Sequence, residues 1–275
     1  MSSPARSPRG TPAGASAREA AAAPPLLAIA DRLSRALAAL SFRPPVAYVY
    51  NPLEYARDAY AAYVARYAAT AKEVLFVGMN PGPFGMAQTG IPFGEVASVR
   101  DWLGIRTEVG KPAREHPKRP VAGFDCHRSE VSGQRLWGWA RQRFGTPEAF
   151  FARFFIANYC PLLFLEESGR NLPLDKLARD EQRAIAEHCD AALRETVRAL
   201  RPRCVLGVGR FAEQRAQAAL AGMGVETGFI PHPSPASPAA NRGWDAQAER
   251  AIEACGVELH APTPGALPGN ADAGR

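Results

Sequence analysis

The chain has 275 residues, 47% hydrophobic and 22% charged, the balance of an ordinary globular protein long enough to bury a core without staples. No apolar run reaches the ~18–20 residues of a membrane-spanning helix. The five cysteines (Cys126, Cys160, Cys189, Cys204, Cys255) form no C-x-x-C pair, which argues against a zinc ribbon, a regular disulfide framework and a four-cysteine iron–sulfur site. The net charge is +6, and residues 100–143 hold ten Lys/Arg against five acids, a local excess that suits a polyanionic partner such as nucleic acid.

In chain order, residues 1–24 are Ala, Pro, Ser, Gly and Arg and read as a disordered tail. Arg18, Glu19 and Pro24 make that stretch a poor signal peptide. With buried free thiols as the default for the cysteines, the expected setting is intracellular: cytoplasm or nucleoid in a bacterium, nucleus in a eukaryote. Leu26 to Leu40 and Leu53 to Ala69 have helical spacing, and Tyr55, Tyr60, Tyr63 and Tyr67 recur on the second as a core stripe rather than a platform for bases. Glu73 to Val77 is a buried strand, followed by a long irregular loop from Gly78 to Glu95 and a short helix from Val96 to Trp102. Residues 105–130 are irregular and basic, and Ser132 to Phe144 is helical. A second strand, Phe154 to Ala157, ends at Asn158 and precedes a long amphipathic helix, Leu177 to Leu200. The strand Cys204 to Val208, the helix Phe211 to Leu220, the strand Val225 to Ile230 and the helix Trp244 to Cys255 complete the pattern, and residues 259–275 read as a second tail. This alternation predicts an α/β class: one domain over 25–258, a three-layer sandwich with a central, mostly parallel four-stranded sheet between helices.

The loop Gly78 to Glu95 carries most of the functional information. It has no Lys, Arg or Asp, its glycines allow close backbone approach, and its prolines hold its shape. Asn80 offers a neutral donor and acceptor, and Phe84 and Phe93 offer flat apolar faces. The inventory suits a flat polar heterocycle, since the Gly-Lys-Ser/Thr ending of a phosphate loop is absent. A second loop, Pro231-His232-Pro233-Ser234-Pro235-Ala236-Ser237-Pro238, has four prolines in eight residues and is stiff enough to enter a partner at little entropic cost. In a parallel sheet the strand ends share one edge, so Asn80, Asn158 and His232 are expected to converge there. His116, His127 and His188 have no ligand-like spacing, and neither metal nor cofactor is expected.

These two loops, with Arg119-Pro120-Val121-Ala122-Gly123-Phe124, Ser129-Glu130-Val131-Ser132-Gly133 and Asn158-Tyr159-Cys160-Pro161-Leu162-Leu163-Phe164, resemble the single-strand-selective monofunctional uracil-DNA glycosylase family of the uracil-DNA glycosylase superfamily, over most of residues 45–255. The resemblance implies a monomeric base-excision enzyme that flips uracil, and 5-substituted uracils such as 5-hydroxymethyluracil, out of single- or double-stranded DNA. It implies Asn80 and His232 as catalytic residues, and Gly78, Met79, Gly82, Met86, Phe93 and Asn158 around the base. Ser234, Pro235, Ala236, Ser237, Pro238, Asn241 and Arg242 would then meet DNA. One departure stands out: where vertebrate members carry Arg then Asn in the wedge, this chain has Ala236 then Ser237, which fill less of a vacated base stack. The alternatives are the same fold shifted to deaminated purines such as xanthine, and a non-catalytic reader of damaged single-stranded DNA.

Overall fold

The computed structural model describes residues 25–259. The first expected tail, and all of the second beyond Leu259, lie outside the described residues. In chain order the elements are α1 (Pro25–Ala38), β1 (Tyr48–Tyr50), α2 (Pro52–Tyr55), α3 (Arg57–Tyr67), β2 (Val74–Gly78), α4 (Met86–Thr89), α5 (Val131–Phe144), α6 (Pro147–Phe151), β3 (Phe154–Asn158), β4 (Leu163–Leu165), α7 (Arg179–Leu200), β5 (Cys204–Val208), α8 (Arg210–Leu220), β6 (Glu226–Ile230) and α9 (Trp244–Ala254). The four expected strands pair in the order β3-β2-β5-β6, all parallel.

β2, β3 and β5 form where they do because they are short apolar runs, whereas the edge strand β6, Glu-Thr-Gly-Phe-Ile, is mostly half-buried. Every residue of β2 and β5 is buried, as a parallel sheet covered on both faces requires. On one face Phe76 and Phe154 meet Trp139 and Phe144 of α5 and Phe150 of α6. On the other, Phe155 packs at 5.0 Å from Tyr63 of α3, whose hydroxyl donates to the Ile156 carbonyl. Tyr63 and Tyr67 are buried, so the tyrosine stripe is core. α7 turns Ile185, Cys189, Leu193 and Val197 inward at four-residue spacing.

Two expectations are corrected and one element is added. The helix over 53–69 is two helices, broken at Ala56 (φ −117°, ψ 29°): the Tyr55 carbonyl accepts from the Gly110 amide, and Gly90 abuts the Ala56 backbone. A two-stranded antiparallel ladder, β1 with β4, was not legible, because three residues per strand carry no period. The cysteines are not all free thiols: Cys204 at the start of β5 and Cys255 just past α9 form a disulfide across 51 positions. Their approach depends on how α9 returns along the sheet, which spacing does not reveal. The Glu226 carboxylate lies within 4.8 Å of both sulfurs.

Candidate active site

From β2 the chain passes to β3 on one side of the sheet and later crosses to β5 on the other, so the loop after β2 leaves at the switch point, where α/β sheets open a crevice. Gly78 and Asn158 are register partners at that edge. A Cβ on Gly78 would stand 2.4 Å from Asn158 Oδ1 and 2.8 Å from Phe93 Cε2, so the amide and the ring close directly on a bare α-carbon. Phe93 holds φ 53°, a conformation that costs a non-glycine residue ~1–3 kcal/mol and needs surroundings to enforce it. Those surroundings are the Trp137 indole, which donates to the Phe93 carbonyl at 2.8 Å, and Gly133, whose missing Cβ would fall 2.3 Å from that same oxygen.

The His232 ring lies 6.0 Å from the Phe93 ring. Three strand ends therefore meet around Phe93: Gly78 with Asn80 two residues on, Asn158, and His232. Of the two candidate flat faces, Phe93 lies beside His232, whereas Arg128 and Arg119 sit over Phe84 at 3.9 and 5.5 Å.

The polar atoms have fixed tasks. Asn80 Nδ2 donates to the Leu162 carbonyl at 3.1 Å, which leaves Oδ1 as the amide's acceptor. Asn158 Nδ2 points to Met86 Sδ at 3.1 Å. The Ser234 amide donates to His232 Nδ1 at 3.2 Å, which leaves the ring proton on Nε2, and burial pushes the imidazole pKa below its ordinary value. The loop itself is more ordered than its composition predicts. It contains the single helical turn α4, closed by Gly90 at φ 75°. Buried Gln88 clamps it, donating to the Pro83 and Pro120 carbonyls and accepting from the Ala122 and Gly123 amides. Met79 joins through its carbonyl, which accepts from the Cys160 amide.

Glu130 escaped the sequence reading. Its carboxyl lies where a Cβ on Gly82 or Gly85 would have to go, and its Oε2 is buried without a hydrogen-bond partner. Burial, and secondarily the charge of Glu95, push its pKa up to about 7. Glu95 itself is anchored by the Ser98 amide and hydroxyl and by the Ser129 hydroxyl. The clue in the sequence was an acid flanked by signature residues, but nothing there said which glycines it would face.

In the second loop Pro235, Ala236, Pro238, Asn241 and Arg242 are exposed, and Ser234 and Ser237 are half-buried. Its shape comes from inside. The Ser234 hydroxyl accepts from the Ala236 amide, Asn241 Nδ2 donates to the Pro235 carbonyl, and the Trp244 indole donates to the Pro231 carbonyl at 2.7 Å. Arg135 of α5 donates to Asn241 Oδ1 at 3.3 Å, tying the basic segment to this loop.

Residues 65–254, which include both loops and Asn158, match the family model of the Uracil DNA glycosylase superfamily. The chain belongs to that superfamily. Within it, the chain belongs with the single-strand selective monofunctional uracil-DNA glycosylases: it is 52% identical over 228 residues to the proteins of that name from Rattus norvegicus and Mus musculus, covering 82% of this chain and of each relative. The Bos taurus protein is 51% identical, with 82% and 84% covered. Among solved structures, SMUG2 of Pedobacter heparinus superposes with a TM-score of 0.55 at 21% identity, over 74% of this chain and 87% of that one, a likeness of fold.

Proposed function

We propose that this chain is a monofunctional DNA glycosylase that extrudes uracil from DNA and hydrolyses its N-glycosidic bond. The observation that carries the reading is the meeting of a neutral imidazole, a fixed aromatic ring and an amide at one sheet edge. The extruded base stacks on Phe93. Asn158 reads its edge, Oδ1 accepting from N3–H and Nδ2 donating to O4. Gly82 and Met86 border the C5 side, where displacement of a water admits 5-hydroxymethyluracil. Gly78 and Met79 form the floor.

Asn80 cannot take a proton near neutral pH, so it is not a strong base. Its free Oδ1 orients the attacking water, and the bond breaks largely before attack, through an oxocarbenium-like sugar. Negative charge grows on uracil O2 as the base leaves, and His232 Nε2–H is the donor aimed at it, a contribution of roughly 2.7–4 kcal/mol in comparable sites. A neutral donor suits this task because it stabilises the anion without protonating it. Neither loop carries a lysine to form a Schiff base, which supports hydrolysis without strand cleavage. Pro235 to Pro238 enter the duplex beside the lesion, and Ser234, Asn241 and Arg242 lie along the strand. The enzyme acts inside the cell, as a monomer and without a metal.

The test is abasic-site formation on labelled oligonucleotides carrying uracil or 5-hydroxymethyluracil, paired and unpaired, in chelator. Asn80→Ala and His232→Leu should each cut turnover by about 10²-fold or more while leaving DNA binding largely intact. Unchanged turnover removes those residues from the mechanism, and DNA binding without any abasic product makes the protein a reader instead.

A further inference from the structure

Next to the uracil site lies a cleft of about 540 Å³ that no step above uses, lined among others by Tyr159, Arg179, Arg183, Phe211 and Arg215. Its volume is that of an ordinary small-ligand site. The chain joins it to the base pocket at two points. Tyr159 is the residue after Asn158, and Phe211 is two residues past Gly209, where an added Cβ would stand 3.4 Å from His232 Cβ.

The cleft's charges are sorted. Asp190 holds Arg215 at 2.6 Å and accepts from the Tyr159 hydroxyl, which fixes the floor. Asp180 and Glu181 are engaged by Arg43, and Glu213 by Arg210. Arg179 and Arg183 stand one turn apart on α7, exposed, and form no ion pair among the described residues. The half-buried Phe211 ring, 6.3 Å from Tyr159, is the apolar surface beside them. Two uncommitted guanidiniums beside an aromatic ring are the combination that binds single strands: charge for the backbone and a face for a base.

We propose that the cleft between α7 and α8 is a second nucleotide subsite, which takes the phosphate and base of an unpaired nucleotide flanking the extruded one. Arg179 and Arg183 hold the phosphate, and Phe211 stacks the base. A base held in a duplex cannot turn into this cleft without unpairing, so the subsite favours single strands. The identity of the strand as DNA rests on the glycosylase reading.

The experiment compares the full chain with its Arg179→Gln/Arg183→Gln variant on single-stranded uracil oligonucleotides, long on both flanks or trimmed close to the lesion on the 5′ or the 3′ side. In the unaltered protein, trimming one flank should raise KM about tenfold and leave kcat unchanged. The double variant should show that raised KM already on the long substrate. Its log–log salt dependence should be shallower by about 1.4, two contacts at ~0.7 each for single strands. Equal KM, equal salt slope and equal response to trimming in the two proteins would overturn the proposal. Fluorescence anisotropy on a uracil-free single strand keeps the two readings separate: the slope difference should persist there even if no oligonucleotide is cleaved, an outcome that sinks the glycosylase reading and not the cleft. A slope unchanged in anisotropy overturns the cleft whatever the activity.

Discussion

At the scale of single residues, the site is built from side chains whose alternatives are closed off. Gly78 is required because a methyl group there would collide with Asn158 and Phe93 together. Gly78→Ala should therefore lower turnover at least tenfold, with KM raised, and the overpacking should also lower the melting temperature by a few degrees. An unaltered KM would show that the pocket relaxes freely. Two titrations bear on pH. His232 has a depressed pKa, so its neutral donor persists to lower pH than in a free imidazole, and any fall in kcat/KM from its protonation should lie below 6.5. The unfolded chain takes the proton first, so the same shift makes stability decline as pH drops below about 6.5. Glu130 works in the opposite sense. Its pKa rises from 4.5 to about 7, so the unfolded chain ionises first and stability is lost as pH climbs through that window. Glu130→Gln should stabilise the protein at pH 8 by on the order of 3 kcal/mol and be near neutral at pH 4, as chemical denaturation at the two pH values would reveal. The convergence of Asn80, Asn158 and His232 was legible in the sequence because each ends or follows a strand, and the place of Glu130 was not because its neighbours come from a distant loop.

At the scale of elements, the two loops owe their shape to anchors outside them. The Trp137 and Trp244 indoles each hold one loop carbonyl, and Gln88 ties the first loop to residues 120–123. The second loop is held further by the Ser234 hydroxyl and the Asn241 amide, and its tip presents Ala236, a methyl group. A tip this small plugs a duplex poorly, so the enzyme should act faster on unpaired or weakly paired uracil than on a stable pair. Ala236→Arg should narrow that gap by raising the rate on duplex. Comparable rates on paired and unpaired substrate for both proteins would refute the argument. β2, β3 and β5 were legible to within a residue because they are short apolar runs. The turn α4 was not, because a glycine- and proline-rich segment has no periodic signal and Gln88 supplies the order from the side.

At the scale of the whole molecule, chemistry and cohesion occupy opposite edges of the sheet. The loops gather at the carboxyl ends of the strands, while the Cys204–Cys255 disulfide joins the start of β5 to the chain just past α9. Closing a loop of 51 residues lowers unfolded-chain entropy by an amount worth about 4 kcal/mol in the chain-entropy account. Cys255→Ser should lower the melting temperature of the oxidised protein, leave the reduced protein nearly unchanged, and spare kcat. An equal melting temperature in oxidised protein and variant would show that the bridge adds nothing. The sequence by itself determined the class, the strand-by-helix order and the three segments that converge, because apolar period and chain order are local properties that a parallel sheet converts into one shared edge. Only the tertiary structure decided which ring faces the pocket, which carboxyl lies behind its glycines, which cysteines meet and where a second basic cleft opens, because each of those depends on residues far apart in the chain arriving within a few ångströms of one another.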